Sequence, residues 1–158
     1  MKKLLYGISA MLLLFTVSCS VSQDEVEEPT MSNNPASGKL YGNNFTVNAA
    51  GGKAQNITAN DIEGVYIYLT NNTVGCGETP DGFEWPIWIF TPRAVGTYTF
   101  QDHADITFKD PDADSFEGAF NVKVEIISVG ETVVGRVVAG YPGDQNYING
   151  KFEVPYCN

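Results

Sequence analysis

Apolar and polar side chains alternate with a period of two in several segments of this 158-residue chain. The clearest segments are Phe120–Ile126 and Ile148–Val154, in which every second residue is apolar or glycine. No stretch holds the apolar period of about 3.6 residues that an amphipathic helix requires. Because a period of two places alternate side chains on opposite faces of a strand, the sequence predicts an all-β domain.

The strand-like segments number about eight or nine within residues 38–158, which is a usual length for a single domain with one core. Short strands of this number, separated by turn residues, predict an antiparallel β-sandwich, with a small β-barrel as the alternative. Asn43-Asn44 is predicted to form a tight turn between two short strands. Phe120–Ile126, Val133–Ala139 and Ile148–Val154 are predicted to form an antiparallel meander.

The first nineteen residues have the order of a secretory signal peptide. Lys2 and Lys3 precede an apolar run over residues 4–17, and Ser18 and Cys19 follow it. The run is shorter than the about 20 apolar residues of a membrane-spanning helix, and the Ala-x-Ala of an ordinary cleavage site is absent. A small residue directly before a cysteine resembles a bacterial lipoprotein signal. The resemblance implies that residues 1–18 are removed and that Cys19 carries lipid, whose several acyl chains suffice for stable anchoring.

Residues 19–37 are rich in polar residues and proline and are expected to form a disordered tether. Four acidic residues cluster within it, namely Asp24, Glu25, Glu27 and Glu28. The cluster is explained either as a self-repelling spacer or as a sorting signal. It is similar to the surface-export signal of Bacteroidota lipoproteins, in which the acids tend to sit closer to the cysteine. The expected location is the outer membrane, with the periplasmic and the cell-surface leaflet both left open.

The chain is acidic, with a net charge of −10. Loss of Lys2 and Lys3 with the signal peptide leaves 7 basic against 19 acidic residues, a net charge of −12. This charge and the lack of a basic patch argue against nucleic acid as a partner. Once Cys19 is assigned to lipid, Cys76 and Cys157 remain as a pair, and an exported protein is expected to join them in a disulfide. A zinc site is a poor alternative, because no histidine lies near either cysteine.

Three further segments resemble a group of small, functionally uncharacterised Bacteroidota lipoproteins of the β-sandwich type. They are Gly96-Thr97-Tyr98-Thr99-Phe100, Ile106-Thr107-Phe108 and Gly150-Lys151-Phe152-Glu153-Val154. The resemblance covers roughly residues 38–157 and consists mostly of strand and turn residues. It implies a fold and a lipid anchor but no activity, because the group supplies no catalytic residue that could be carried over.

An acidic loop contains the one candidate metal site. Asp110, Asp112 and Asp114 occupy positions 1, 3 and 5 of a Ca²⁺-loop pattern, and Glu117 could supply a further oxygen. The glycine needed at position 6 is replaced by a serine, and position 12 lacks the bidentate glutamate. A solvated acidic turn is the alternative. No cofactor other than this Ca²⁺ ion is expected.

Aromatic residues crowd two segments and provide the candidate ligand site. Tyr66 and Tyr68 alternate with apolar residues, so they should share the face opposite to the core, and Trp85 and Trp88 lie in the next strand-like segment. If these four side chains are exposed together, they form a platform that stacks on a sugar ring or anchors a protein partner. Burial in the core is the alternative for each of them.

The sequence therefore predicts a lipid-anchored cell-envelope lipoprotein with a non-catalytic binding or accessory domain. No residues are predicted to be catalytic, because the chain has no nucleophile motif and the single histidine, His103, lacks the partners that hydrolysis requires. Two alternatives are a hydrolase of envelope or extracellular polymers and a structural subunit of a surface complex. The expected partners are the membrane, through the lipid, and a glycan or a protein.

Overall fold

The computed structural model describes residues 30–59, 61–77, 85–110 and 112–157. The predicted signal peptide, Cys19 and the acidic cluster of the tether lie outside the described residues. Within the described ranges, no helix has both the length and the apolar character needed to cross a membrane.

Eleven strands and one short 3-10 turn make up the described chain. The strands are β1 (Ser37–Leu40), β2 (Asn43–Thr46), β3 (Gly52–Ala59), β4 (Ile62–Leu69), β5 (Ile87–Pro92), β6 (Gly96–Thr99), β7 (Asp105–Lys109), β8 (Phe116–Gly118), β9 (Lys123–Val129), β10 (Thr132–Ala139) and β11 (Tyr147–Cys157). The 3-10 turn, Phe100–Asp102, joins β6 to β7. The prediction of an all-β domain is confirmed.

Nine of the strands follow one another in a single curled sheet that forms a half-barrel, in the order β6-β9-β10-β11-β3-β4-β5-β7-β8. The predicted meander is confirmed, because β9, β10 and β11 are antiparallel neighbours. On its other edge, β11 first pairs antiparallel with β1 and then parallel with β3, through Tyr156 and Cys157. β11 therefore links one half of the sheet, β6-β9-β10-β11, to the other half, β3-β4-β5-β7-β8.

Both halves of the sheet contribute to one hydrophobic core. Val65, Ile67 and Leu69 of β4 are fully buried, as the alternation predicts. Ile148, Phe152 and Val154 of β11 are buried from the opposite half. All of these residues belong to a single cluster. The two halves thus share one core, while the hydrogen bonding continues through β11, whose parallel pairing with β3 makes the sheet mixed and not purely antiparallel.

The packed domain includes residues that the sequence analysis assigns to the tether. Ala36 is fully buried, and its N–H donates to the carbonyl of Lys151 (2.8 Å). The Lys151 N–H donates in turn to the carbonyl of Asn34 (2.7 Å). The physical reason lies on β11, where Gly150 has no Cβ and so allows the segment to lie directly against the strand.

Two local predictions are wrong. The first hairpin turns at Tyr41 and Gly42, both with positive φ (46° and 82°), whereas Asn43-Asn44 begins β2. The alternation predicts that Phe120 lies on the core face with Val124, yet Phe120 is 75 % exposed and precedes β9. Asn121 has a φ of 52°, in the left-handed region, so the strand geometry is interrupted between Phe120 and the core residues.

Candidate functional site

An aromatic surface covers the outer side of β4 and β5. In the register of these antiparallel strands, Tyr68 lies opposite Trp88 and Tyr66 lies opposite Phe90. The intervening residues of both strands are buried in the core, so these four side chains project to the other side of the sheet. All four are half-buried. We call Tyr66, Tyr68, Trp88 and Phe90 the aromatic surface.

The rings of the aromatic surface touch one another in a continuous series. Tyr66 contacts Tyr68 and Phe90, with centroids 6.0 and 5.5 Å apart. Tyr68 contacts Trp88 at 6.2 Å, and Trp88 contacts Phe116 of β8 at 5.2 Å. These distances lie within the range of about 4.5–7 Å for favourable aromatic pairs. Each ring is therefore held in place by at least one neighbouring ring.

Trp85 does not belong to the exposed part of this surface, contrary to the prediction. It is only 2 % exposed and packs against Tyr68, with the ring centroids 5.3 Å apart. The ammonium group of Lys53, which is also buried, lies 5.7 Å from the Trp85 centroid and 6.0 Å from that of Tyr68. These separations are within the range of about 6 Å for a cation–π interaction. Trp85 thus packs against Tyr68 and Lys53 and does not offer its own face to a ligand.

Burial also determines the chemistry of the two polar rings. Desolvation raises the pKa of the Tyr68 hydroxyl, and the neighbouring Tyr66 raises it further. The hydroxyl is therefore neutral at pH 7 and can donate a hydrogen bond. The indole Nε1 of Trp88 is buried, and no described residue accepts its hydrogen. The aromatic surface is thus mainly apolar, and its polar groups are the two tyrosine hydroxyls and the indole N–H of Trp88.

The acidic loop does not form the predicted Ca²⁺ site. The Asp110 carboxylate accepts a hydrogen bond from the Asp112 N–H (2.9 Å), and Asp112 and Asp114 are exposed. Glu117 lies on β8, where its Oε2 accepts from the side chain of Asn146 (2.6 Å). The four carboxylates are therefore directed to different partners or to solvent. No group of three or more His, Cys, Asp or Glu side chains in the described ranges is placed to hold a metal ion.

The predicted disulfide is present. Cys76 and Cys157 are bonded, which joins the loop that follows β4 to the last residue of β11. His103 lies at the end of the 3-10 turn, where it is exposed and has a φ of 67°. Its N–H donates to the carbonyl of Phe100 (3.2 Å), so this residue serves the turn geometry.

A concave region that the sequence does not predict opens at one end of the half-barrel. It encloses about 380 Å³ between β8 and the turn that joins β10 to β11. The buried ring of Phe108 lies at its base, and Glu117, Phe120, Asp144, Gln145 and Asn146 are among the residues around it. We call it the end pocket. Its residues are far apart in the sequence. The one local sign of the pocket is Phe120, an aromatic residue that the alternation wrongly places in the core.

A hydrogen-bond network fixes the wall of the end pocket. Asn146, which is only 8 % exposed, donates to Glu117 and accepts from the Tyr41 N–H (2.8 Å). Desolvation raises the pKa of the Tyr41 hydroxyl, and the nearby carboxylates of Glu117 and Asp110 raise it further. Across the pocket, the Gly140 N–H donates to the carbonyl of Phe120 (2.7 Å), which holds the backbone on which the exposed ring stands.

Comparison of the chain with protein-family models, with curated proteins and with solved structures finds no significant match. The aromatic surface and the end pocket therefore have to be interpreted from their own geometry.

Proposed function

We propose that this protein is a lipid-anchored component of the bacterial cell envelope whose β domain binds a ligand without catalysing a reaction. The observation that carries the proposal is the aromatic surface, in which four outward-facing rings lie on two adjacent strands. Rings that already pack on one another lose little side-chain entropy on binding, which favours association. Flat aromatic groups of this kind stack on sugar rings and anchor protein partners.

The surface is built to bind rather than to react. Hydrolysis would need a nucleophile, a base and an oxyanion site in hydrogen-bonding reach of one another. A tyrosine hydroxyl can act as a nucleophile only beside a base, and the contacts described for Tyr66 and Tyr68 include no carboxylate or histidine. The ligand classes that fit are a glycan or an apolar patch on another envelope protein. The acidic chain disfavours anionic polymers and nucleic acid in both cases.

Tryptophan fluorescence provides a direct test, because the two tryptophans of the chain are Trp85 and Trp88 and both contact Tyr68 of the aromatic surface. The purified full chain is titrated with soluble polysaccharides and, separately, with detergent-solubilised outer-membrane proteins. A ligand that covers the surface should change the emission. Tyr66→Ala removes one ring and leaves both reporters, and it should weaken the binding at least about fivefold.

Phe100→Ala is the matched control, since Phe100 is 71 % exposed and belongs to none of the ring contacts described above. It should bind as the unaltered protein does. An unchanged affinity in Tyr66→Ala would contradict the use of this surface. Conversion of a titrated polysaccharide to shorter chains would contradict the non-catalytic role.

The anchor and the location are tested on cells. Cys19→Ala should move the protein from the membrane to the soluble fraction, because lipid attachment needs the thiol and each buried CH₂ contributes about 0.8 kcal/mol. Protease treatment of intact cells should degrade the protein if it is displayed on the surface and should spare it if it faces the periplasm. Membrane association that survives Cys19→Ala would contradict the lipid anchor.

A further inference from the structure

The end pocket has the composition of a small-ligand site, and it lies apart from the aromatic surface. β8 separates the two, because its Phe116 packs against Trp88 on the outer side, whereas Glu117 lies opposite Phe108 and faces the pocket. The pocket volume of about 380 Å³ falls within the range of about 300–1,000 Å³ for small-molecule sites.

Phe120 supplies an exposed aromatic face at the rim of the end pocket. Its ring is 75 % exposed at the pocket, and the left-handed Asn121 that follows it (φ 52°) departs from the strand geometry. Asparagine tolerates the left-handed conformation, so Asn121 turns the chain before β9 without appreciable strain. The exposed ring of Phe120 leaves apolar area in water, and a ligand stacked on it would remove that area from water. The Gly140 N–H donates to the Phe120 carbonyl, which holds in place the backbone that carries the ring.

Three polar side chains around the Phe120 ring can form further hydrogen bonds. One oxygen of Glu117 accepts from Asn146 and one oxygen of Asp144 accepts from the Tyr141 N–H (2.9 Å). A carboxylate has about four lone-pair sites, so both retain acceptor capacity. Gln145 is exposed beside them and offers an amide, which both donates and accepts.

We infer that the end pocket binds a single neutral or amino-sugar unit, in a site that does not depend on the use proposed for the aromatic surface. The apolar C–H face of the sugar would stack on Phe120. Its hydroxyl groups would donate to Glu117 and Asp144 and would both donate to and accept from Gln145. Uronic acids and sulfated sugars are excluded, because the two carboxylates would repel them.

A simple amine is the competing ligand, because two carboxylates also attract a cation. The amide of Gln145 favours the sugar, whereas the ring of Phe120 accommodates either the sugar face or a cation. An ammonium group only donates hydrogen bonds and therefore leaves the amide N–H groups unused. A hydroxylated ring uses donors, acceptors and the aromatic face together.

The test titrates the purified full chain with methyl glycosides of glucose, galactose and mannose, with N-acetylglucosamine, with glucosamine and with glucuronic acid, and separately with spermidine as the amine. Calorimetry measures the affinity, and saturation-transfer NMR identifies the sugar protons that touch the protein. At least one neutral or amino sugar should bind, glucuronic acid should not, and Phe120→Ala should weaken the binding about tenfold or more. Phe120→Trp should retain the binding, and Phe100→Ala should leave it unchanged.

Three results would overturn the inference. The first is that no sugar of the panel binds at millimolar concentration. The second is that spermidine binds while the sugars do not, which would assign the pocket to amines. The third is a sugar affinity that Phe120→Ala leaves unchanged and Tyr66→Ala abolishes, which would place the sugar on the aromatic surface and support the proposed function alone.

Discussion

Cys76 and Cys157 are 81 residues apart in the sequence, yet their Cα atoms lie 5.4 Å apart across a disulfide. The bond holds the end of β11 where Tyr156 and Cys157 pair with Ala54 and Gln55 of β3. This parallel pairing is the connection between the two halves of the nine-strand sheet, and it consists of two residue pairs. The disulfide therefore reinforces the sheet at its shortest junction.

Replacement of both cysteines by alanine should lower the free energy of unfolding by on the order of 4 kcal/mol, because the reduced chain gains the entropy of a loop of about 80 residues. Urea denaturation, monitored by tryptophan fluorescence, measures this difference. Hydrogen exchange should accelerate first at the Tyr156 N–H, which donates to the Glu131 carbonyl beside the junction.

Reduction of the unaltered protein is the control for the double alanine variant. A thiol reductant should bring the unaltered protein to the stability of the variant, and it should leave the variant itself unchanged. Equal stability of the variant and the oxidised protein would show that the junction needs no covalent support.

Thr91 of β5 presents a hydroxyl group to the core. It is fully buried, lies opposite the core residue Val65, and no described residue pairs with its Oγ1. Thr91→Val replaces the unsatisfied hydroxyl with a methyl group of similar shape. We expect it to stabilise the protein by about 1 kcal/mol. Urea denaturation checks this, with exposed Thr97 as the control, since Thr97→Val should change stability by less than about 0.5 kcal/mol.

Gly150 determines whether the segment before β1 can pack on β11. It has a φ of 147°, and a Cβ built there would lie 2.5 Å from the Ala36 Cα and 2.6 Å from the Asn34 carbonyl oxygen. Gly150→Ala should therefore displace the segment and destabilise the protein by about 1–3 kcal/mol.

Limited proteolysis provides the measurement for Gly150→Ala, since cleavage near Ala36 should become faster. The control is Gly130→Ala, because a Cβ at Gly130 would meet nothing within 4 Å. If the two alanine variants were equally stable and equally resistant, the close approach of the segment to β11 would be refuted.

The sequence predicts those parts of the fold that depend on local alternation. The alternation in β4 places Val65, Ile67 and Leu69 on one face of the strand and Tyr66 and Tyr68 on the other, because strand geometry allows no other arrangement. The paired cysteines followed from the oxidising context expected of an exported protein. None of these inferences required knowledge of which strands are neighbours.

The remainder depends on contacts between distant segments. Trp85 looked like a platform residue, but Tyr68 and Lys53 cover it from other strands. Phe120 matched the alternation of β9, but one left-handed residue separates it from the strand. Glu117 matched a metal loop, but its partner is Asn146, 29 residues away. Local patterns do not contain these partners, so the end pocket could not be predicted.

Asp102 carries the clearest pH dependence of the described residues. Its Oδ2 accepts hydrogen bonds from the Thr99 hydroxyl (2.7 Å) and from the Thr99 N–H (3.2 Å), which closes the 3-10 turn. The hydroxyl and then the backbone hydrogen bond lower the pKa of Asp102 below its ordinary value of 3.8. Both bonds favour the charged carboxylate.

The sign of the effect follows from linkage. Because the pKa of Asp102 is lower in the folded than in the unfolded state, the carboxylate adds stability that is fully present above pH 3.8 and is lost as the pH falls through the folded pKa. Thr99→Ala removes the hydroxyl and leaves the backbone N–H, so the pKa of Asp102 should rise part of the way toward 3.8. Carboxyl-carbon NMR titration measures this shift directly. The control is Thr97→Ala, which lies on the same strand without a hydrogen bond to Asp102 and should leave the pKa of Asp102 unchanged. If Asp102 had the same pKa in Thr99→Ala as in the unaltered protein, the role of the Thr99 hydroxyl would be contradicted.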